Sequence, residues 1–144
     1  MPAQMAKSAW RGTLKDGKGL IRLGSGLLET EYTFQSRFEG GPGTNPEELL
    51  SGALSACFSM SLAFGLEQAG YVPKRVETAA KVNLATIGGI SKIISIELYT
   101  QGEVPGVEER IFQHHAENAK KNCPVSLALA STQILLEANL TTQT

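Results

Sequence analysis

One uncharged run, residues 49–66, limits the fold more than any other stretch of this sequence. A helix start stands in front of it. Thr44 or Asn45 can cap the free amides of a first turn, Pro46 suits the first helical position, and Glu47 and Glu48 complement the positive end of the helix dipole. Within the run, Leu50, Ala53, Met60 and Phe64 share a face with Cys57. Gly52, Ala56, Ser59 and Ala63 make a second stripe, of small residues, that another helix can approach closely. A helix apolar on one side and small on the other is expected to be covered nearly all round, at the centre of the fold. The run is long enough to raise a membrane span. Four serines and two glycines inside it, and no second such segment, favour a buried helix of a soluble protein.

The chain has 144 residues, enough for one domain with a real core. Its charged fraction of 19% is low for a globular protein, which hints at surface buried in an oligomer. A net charge of −1 offers no basic surface to nucleic acid or to an anionic membrane, so neither is expected as a partner. Residues 3–8 hold no apolar signal core, and two cysteines far apart are not a disulfide framework. The expected setting is a reducing cytoplasm, where two thiols are either inert core residues or redox-active.

Residues 8–14 and 19–23 flank Lys15-Asp16-Gly17-Lys18, whose Asp-Gly is a hairpin signal. A third strand is expected over 31–38, with Tyr32, Phe34 and Phe38 alternating against Thr33, Gln35 and Arg37. The central helix is expected over 46–69, ending near Gly70 with Pro73 beyond. Two long alternating strands follow, around 76–84 and 94–100, joined by a turn at Gly88-Gly89. A charged amphipathic helix over 107–121 carries Val107, Ile111 and His114 on one side. Cys123-Pro124 opens a short helix, and 134–140 alternates as a last strand. The result is an α+β chain, a single domain over 1–144. It has an N-terminal hairpin sheet (5–38), a central helix (46–69) and C-terminal strands and helices (75–141).

Taken alone, a cysteine on an apolar helix face is most often a small core residue, and that is the plain reading of Cys57. A functional Cys57 needs a cation to hold its thiolate, and mid-helix placement means that the cation must come from another element. Cys123 starts a short helix after Lys120-Lys121-Asn122, a setting that suits an accessible redox thiol as well as a harmless one. A buried Cys57 and an accessible Cys123 can act as attacking and resolving thiols, but their spacing does not show that they meet. By alternation Arg37 lies on a polar strand face, and Glu47 is by default a first-turn acid. His114 and His115 point roughly 100° apart on a helix and cannot chelate one metal together. No CxxC or HExxH spacing and no phosphate-binding glycine loop is present, so no metal and no nucleotide is expected.

Arg37-Phe38-Glu39-Gly40, the stretch from Gly43-Thr44-Asn45 to Leu49, Ala56-Cys57-Phe58-Ser59-Met60 and Asn122-Cys123-Pro124-Val125-Ser126 together resemble the osmotically inducible protein C family. Its sister group is the organic hydroperoxide resistance proteins, and the Arg-Phe-Glu-Gly and Glu-Glu-Leu forms resemble the osmotically inducible branch. The resemblance runs from about Trp10 to Leu140. It implies an intertwined homodimer, with two central helices wrapped by two mixed-chain, antiparallel-rich sheets. It implies a thiol peroxidase of organic hydroperoxides, in which Cys57 is the peroxidatic cysteine, Cys123 the resolving one, and Arg37 and Glu47 the activating pair. No bound cofactor is implied; an external dithiol, such as a lipoylated protein, would recycle the disulfide. Arg37 must then leave the polar strand face.

That assignment is chemically coherent. A guanidinium stabilises thiolate, a carboxylate can hold its fork by paired hydrogen bonds, and the same cation meets the charge growing on the departing peroxide oxygen. One geometric point is independent of the family. Glu47 and Cys57 are ten residues apart, about 15 Å along one helix, more than an arginine bridges while touching both. Either the helix starts after Glu47, or the Arg37 and Glu47 that serve Cys57 come from the other subunit; a shared site is expected. Two rivals remain, a thiol redox sensor or stress-related binding protein without turnover, and a hydrolase with Cys57 as nucleophile and His114 as base.

Overall fold

A computed structural model describes residues 1–141. Residues 142–144 of the expected 1–144 domain lie outside the described part. The chain divides into two compact units, Met1–Leu49 and the part from Leu50 onward.

In the first unit β1 (Ala6–Arg11), β2 (Lys18–Leu23) and β3 (Glu29–Tyr32) form an antiparallel sheet in sequence order. Arg11 pairs with Lys18, so the first hairpin closes through a six-residue loop and not through a two-residue Asp-Gly turn. β3 stops at Tyr32, shorter than the strand expected over 31–38. Thr33 and Ser36 form a reciprocal capping box that turns the chain into the helix α1 (Phe34–Phe38). The fully buried apolar side chains all lie at or beyond Leu54, so the first sheet closes no core of its own among the described residues.

The central helix α2 runs Pro46–Gln68, close to expectation. Asn45 caps it, its Oδ1 accepting from the Glu48 amide at 2.8 Å, while the Thr44 hydroxyl donates to the Glu48 carboxylate. Gly70, at φ +93°, ends it in the left-handed conformation that a side chain disfavours. The second unit continues with β4 (Arg75–Ile87), β5 (Ile90–Glu103), α3 (Glu109–Asn122), α4 (Pro124–Ala128) and β6 (Gln133–Leu140). The β4–β5 hairpin is longer than its sequence signal because Gly88 and Gly89, both at positive φ, make a tight turn that lets pairing run to Ile87 and Ile90. β6 returns parallel to β5 after the crossover through α3 and α4, giving the sheet order β4-β5-β6.

One face of this sheet carries Ile96, Leu98 and Thr100 inward, against Leu54, Phe58, Leu62 and Leu66 of α2 and Phe112, Ala116 and Ala119 of α3. Any side chain at Gly102 would run into the Phe112 ring, which is why α3 can pack so close. Two expectations are corrected by this packing. The buried stripe of α2 recurs every fourth residue from Leu54 to Leu66, and the face shared by Cys57, Ala53, Met60 and Phe64 is the outer one, with Met60 75% and Phe64 61% exposed. An almost uniformly apolar helix gives its periodicity no preferred face, so the packing partner chooses it. On α3 the inward side is Phe112, Ala116 and Ala119, and His114 is exposed. Ser59 is also committed inward, donating to Thr78 at 2.7 Å, with Thr78 and the buried Thr100 hydroxyl 3.0 Å apart.

Candidate active site

In the first unit the capping box does more than end β3. The Ser36 hydroxyl accepts from the Thr33 amide at 2.8 Å and lies 2.7 Å from the Thr44 carbonyl, while the Asn45 side chain donates to the Ser36 carbonyl at 3.0 Å. These hydrogen bonds clip α1 to the entry of α2. They bring Arg37, in the last turn of α1, against Glu47, in the first turn of α2. Arg37 Nη2 donates to Glu47 Oε1 at 2.7 Å and Nε donates to Oε1 and Oε2 at 3.1 and 3.2 Å. The fork locks the guanidinium plane. Glu47 is nearly covered, with an 11% exposed side chain, whereas 36% of the arginine side chain remains exposed. The Phe38 ring lies beneath the guanidinium, 5.2 Å from its centre. Arg37 therefore sits on a helix and not on a strand face, and its side chain stays partly exposed.

In the second unit Cys57 and Cys123 meet, both as free thiols. Their burial is the reverse of the expected one: Cys57 is half-buried and Cys123 fully buried. Cys57 faces outward because the inward stripe of α2 passes through Phe58. Cys123 is covered because it caps α4, folded under the end of α3, with its amide donating to the Ala119 carbonyl. Three influences act on Cys57. Burial, the largest, pushes its thiol upward; a hydrogen bond from the Val125 amide lowers it; the Cys123 side chain raises it by hydrogen bond and by charge. None of these is a cation. The Cys123 sulfur in turn accepts from the Ser126 amide at 3.4 Å and lies 3.0 Å from the Ser126 hydroxyl, which is itself buried.

The four residues singled out from the sequence are thus brought together two by two, Arg37 with Glu47 and Cys57 with Cys123. The Val125 amide and Ser126 were missed. The signal for Ser126 was present in Cys123-Pro124-Val125-Ser126, since a residue at the N-cap position accepts from the amide two or three residues on; the Val125 amide's partner is Cys57, on another helix, and no local pattern announces it. The exposed His114 has its Nε2 3.1 Å from the Asn118 side chain and makes an edge contact with the His115 ring. His115 packs over Gly65, and burial lowers its basicity.

Residues 39–137 match the family model described as OsmC-like protein. Over 132 residues the chain is 41% identical to the peroxiredoxin OsmC of Escherichia coli strain K12, covering 91% of this chain and 92% of that one. It is 30% identical over 91 residues to an organic hydroperoxide resistance protein of Xanthomonas axonopodis pv. citri, 62% of this chain and 61% of the other. The crystal structure of the organic hydroperoxide resistance protein OhrB of Bacillus subtilis shares the fold, with a TM-score of 0.72 over 95% of this chain and 98% of that one, at 24% identity.

Proposed function

The chain belongs to the OsmC-like protein family, and from that premise we propose that it is a homodimeric thiol peroxidase that reduces organic hydroperoxides to alcohols. The observation that carries the reading is the meeting of the two thiols, one half-buried and one covered, in a chain that has no other cysteine. The Cys57 thiolate attacks one peroxide oxygen, so that an S–O bond forms, the O–O bond breaks and the alkoxide leaves as alcohol with a proton. Cys123 then attacks the sulfenic sulfur, forming the disulfide and releasing water. An external dithiol, such as a lipoylated protein, restores both thiols by exchange. Met60 and Phe64, on the face of α2 that carries Cys57, favour an organic substrate over hydrogen peroxide.

The homodimer explains two features of the single chain. The first sheet has no apolar core, and three strands without one do not hold together in water. The outer face of α2 exposes large apolar side chains, which a second copy would cover. The dimer also supplies the missing cation. That α2 is helical from Pro46 onward supports a shared site over a helix that starts after Glu47. The Arg37–Glu47 fork that activates Cys57 is then that of the second subunit, and it offsets the upward push of burial on the thiol.

The test is to follow loss of cumene hydroperoxide with dihydrolipoamide in wild type, Cys57→Ser and Cys123→Ser, and in mixed Arg37→Ala and Cys57→Ser chains. Turnover should need both cysteines and return in the mixed heterodimers. Turnover in Cys57→Ser would refute the mechanism, and heterodimers without activity would refute the shared site. Wild type that consumes one equivalent and stops would identify a redox sensor instead.

A further inference from the structure

The sulfur of Cys123 is fully buried, yet the proposed mechanism asks it to act twice as an anion, once as nucleophile and once as leaving group. Taking a thiolate out of water is costly unless donors replace the lost hydration. The structure contains such donors. The Ser126 hydroxyl is 3.0 Å from Cys123 Sγ, and the Ser126 amide donates to the same atom at 3.4 Å. Ser126 is 4% exposed, so water does not compete for its hydroxyl. Its position is rigid, because its carbonyl accepts from the Leu129 amide within the same short turn. The neighbouring Val125 amide serves the other sulfur, Cys57. Two adjacent residues therefore give each reacting sulfur its own main-chain donor, and give Cys123 a hydroxyl as well.

We propose that Ser126 is a further catalytic residue, whose hydroxyl stabilises negative charge on Cys123 in both steps in which that sulfur carries it. This rests on the thiol-peroxidase reading. In the resolving step the Cys123 sulfur attacks the sulfenic sulfur of Cys57. The S–S bond forms, the S–O bond breaks, and the leaving hydroxide takes the Cys123 proton away as water; the oxidant is the hydroperoxide already consumed. In recycling, one thiolate of the dithiol attacks the Cys57 sulfur, a mixed disulfide forms as the Cys57–Cys123 bond breaks, and Cys123 departs as thiolate, later protonated from solvent; the second sulfur of the dithiol then displaces Cys57 and closes the dithiol's own disulfide. A hydrogen bond to the charged form gains more than one to the neutral thiol, so the hydroxyl favours the anion in both directions.

The experiment compares wild type, Ser126→Ala and Ser126→Thr by rapid mixing with one equivalent of cumene hydroperoxide. Peroxide loss reports sulfenic acid formation, and the mass of quenched samples reports the Cys57–Cys123 disulfide. Ser126→Ala should form sulfenic acid at the wild-type rate but close the disulfide about ten- to a hundredfold more slowly, the effect expected for removing one hydrogen bond to a charged group. The sulfenic acid should accumulate as a dimedone adduct, and reduction of the preformed disulfide by dihydrolipoamide should slow comparably. Ser126→Thr, which keeps the hydroxyl, should restore much of both rates. Disulfide closure at the wild-type rate in Ser126→Ala, or equal slowing of both steps, overturns the proposal. Wild type that forms no Cys57–Cys123 disulfide overturns the peroxidase mechanism itself, and this proposal with it.

Discussion

Replacing Ser36 by alanine tests whether the arginine is positioned by a hydroxyl that never approaches the chemistry. The Ser36 hydroxyl accepts from the Thr33 amide at 2.8 Å and reaches the Thr44 carbonyl at 2.7 Å, in a residue only 5% exposed. Ser36→Ala removes both hydrogen bonds, and burial hinders water from replacing them. At roughly 1 kcal/mol for each, α1 and its clip to α2 weaken by about 2 kcal/mol. That is about a thirtyfold shift toward the open form. A five-residue helix has no length from which to recover the difference. Arg37 would then meet Glu47 in a smaller share of molecules, while both residues remain chemically intact. The expected outcome is a fall of about tenfold in kcat/KM for cumene hydroperoxide, together with faster amide exchange confined to residues 33–38. Wild-type exchange and activity within twofold of wild type would refute the chain of reasoning from cap to clip to arginine. Loss of activity with unchanged exchange would refute the positioning role.

Three further outcomes follow from the same geometry. Burial raises the Cys57 thiol above its ordinary value of 9.0, so with Arg37→Ala its labelling by iodoacetamide should still be climbing above pH 9, whereas wild type levels off at lower pH. In that variant a thiol held neutral by the fold contributes stability below pH 9 that is lost as pH rises through its raised value, so the urea midpoint should drop in alkali; identical labelling and stability profiles would sink this account. Phe64→Glu places a charge on the exposed face of α2 and removes about 2 kcal/mol of burial at each of two equivalent positions in a symmetric dimer. Sedimentation at micromolar concentration should show the mass of one chain, 15.4 kDa, and a species that keeps twice that mass would count against this face as the dimer interface.

Local signals carried much of the fold. Asn45-Pro46-Glu47-Glu48 marked the start of α2 and Gly70 its end, because caps and left-handed turns are chosen by the few residues that form them. Gly88-Gly89 and the alternation around it marked the β4–β5 hairpin for the same reason. The family motifs singled out Cys57, Cys123, Arg37 and Glu47 as residue types, and the fold then set each in its environment. What only the tertiary structure decided was every question of which partner a residue meets. The uniformly apolar α2 could have turned any side inward; the sheet took the stripe through Phe58 and left Cys57 near the surface. Cys123, which starts a helix and so looks accessible, is buried because α4 folds under α3. Arg37 left its strand because the Thr33–Ser36 capping box turns the chain into α1. Periodicity records which residues along a segment share a face. Long-range packing decides what that face touches, and here it brought the Cys57 thiol to Cys123, far along the chain.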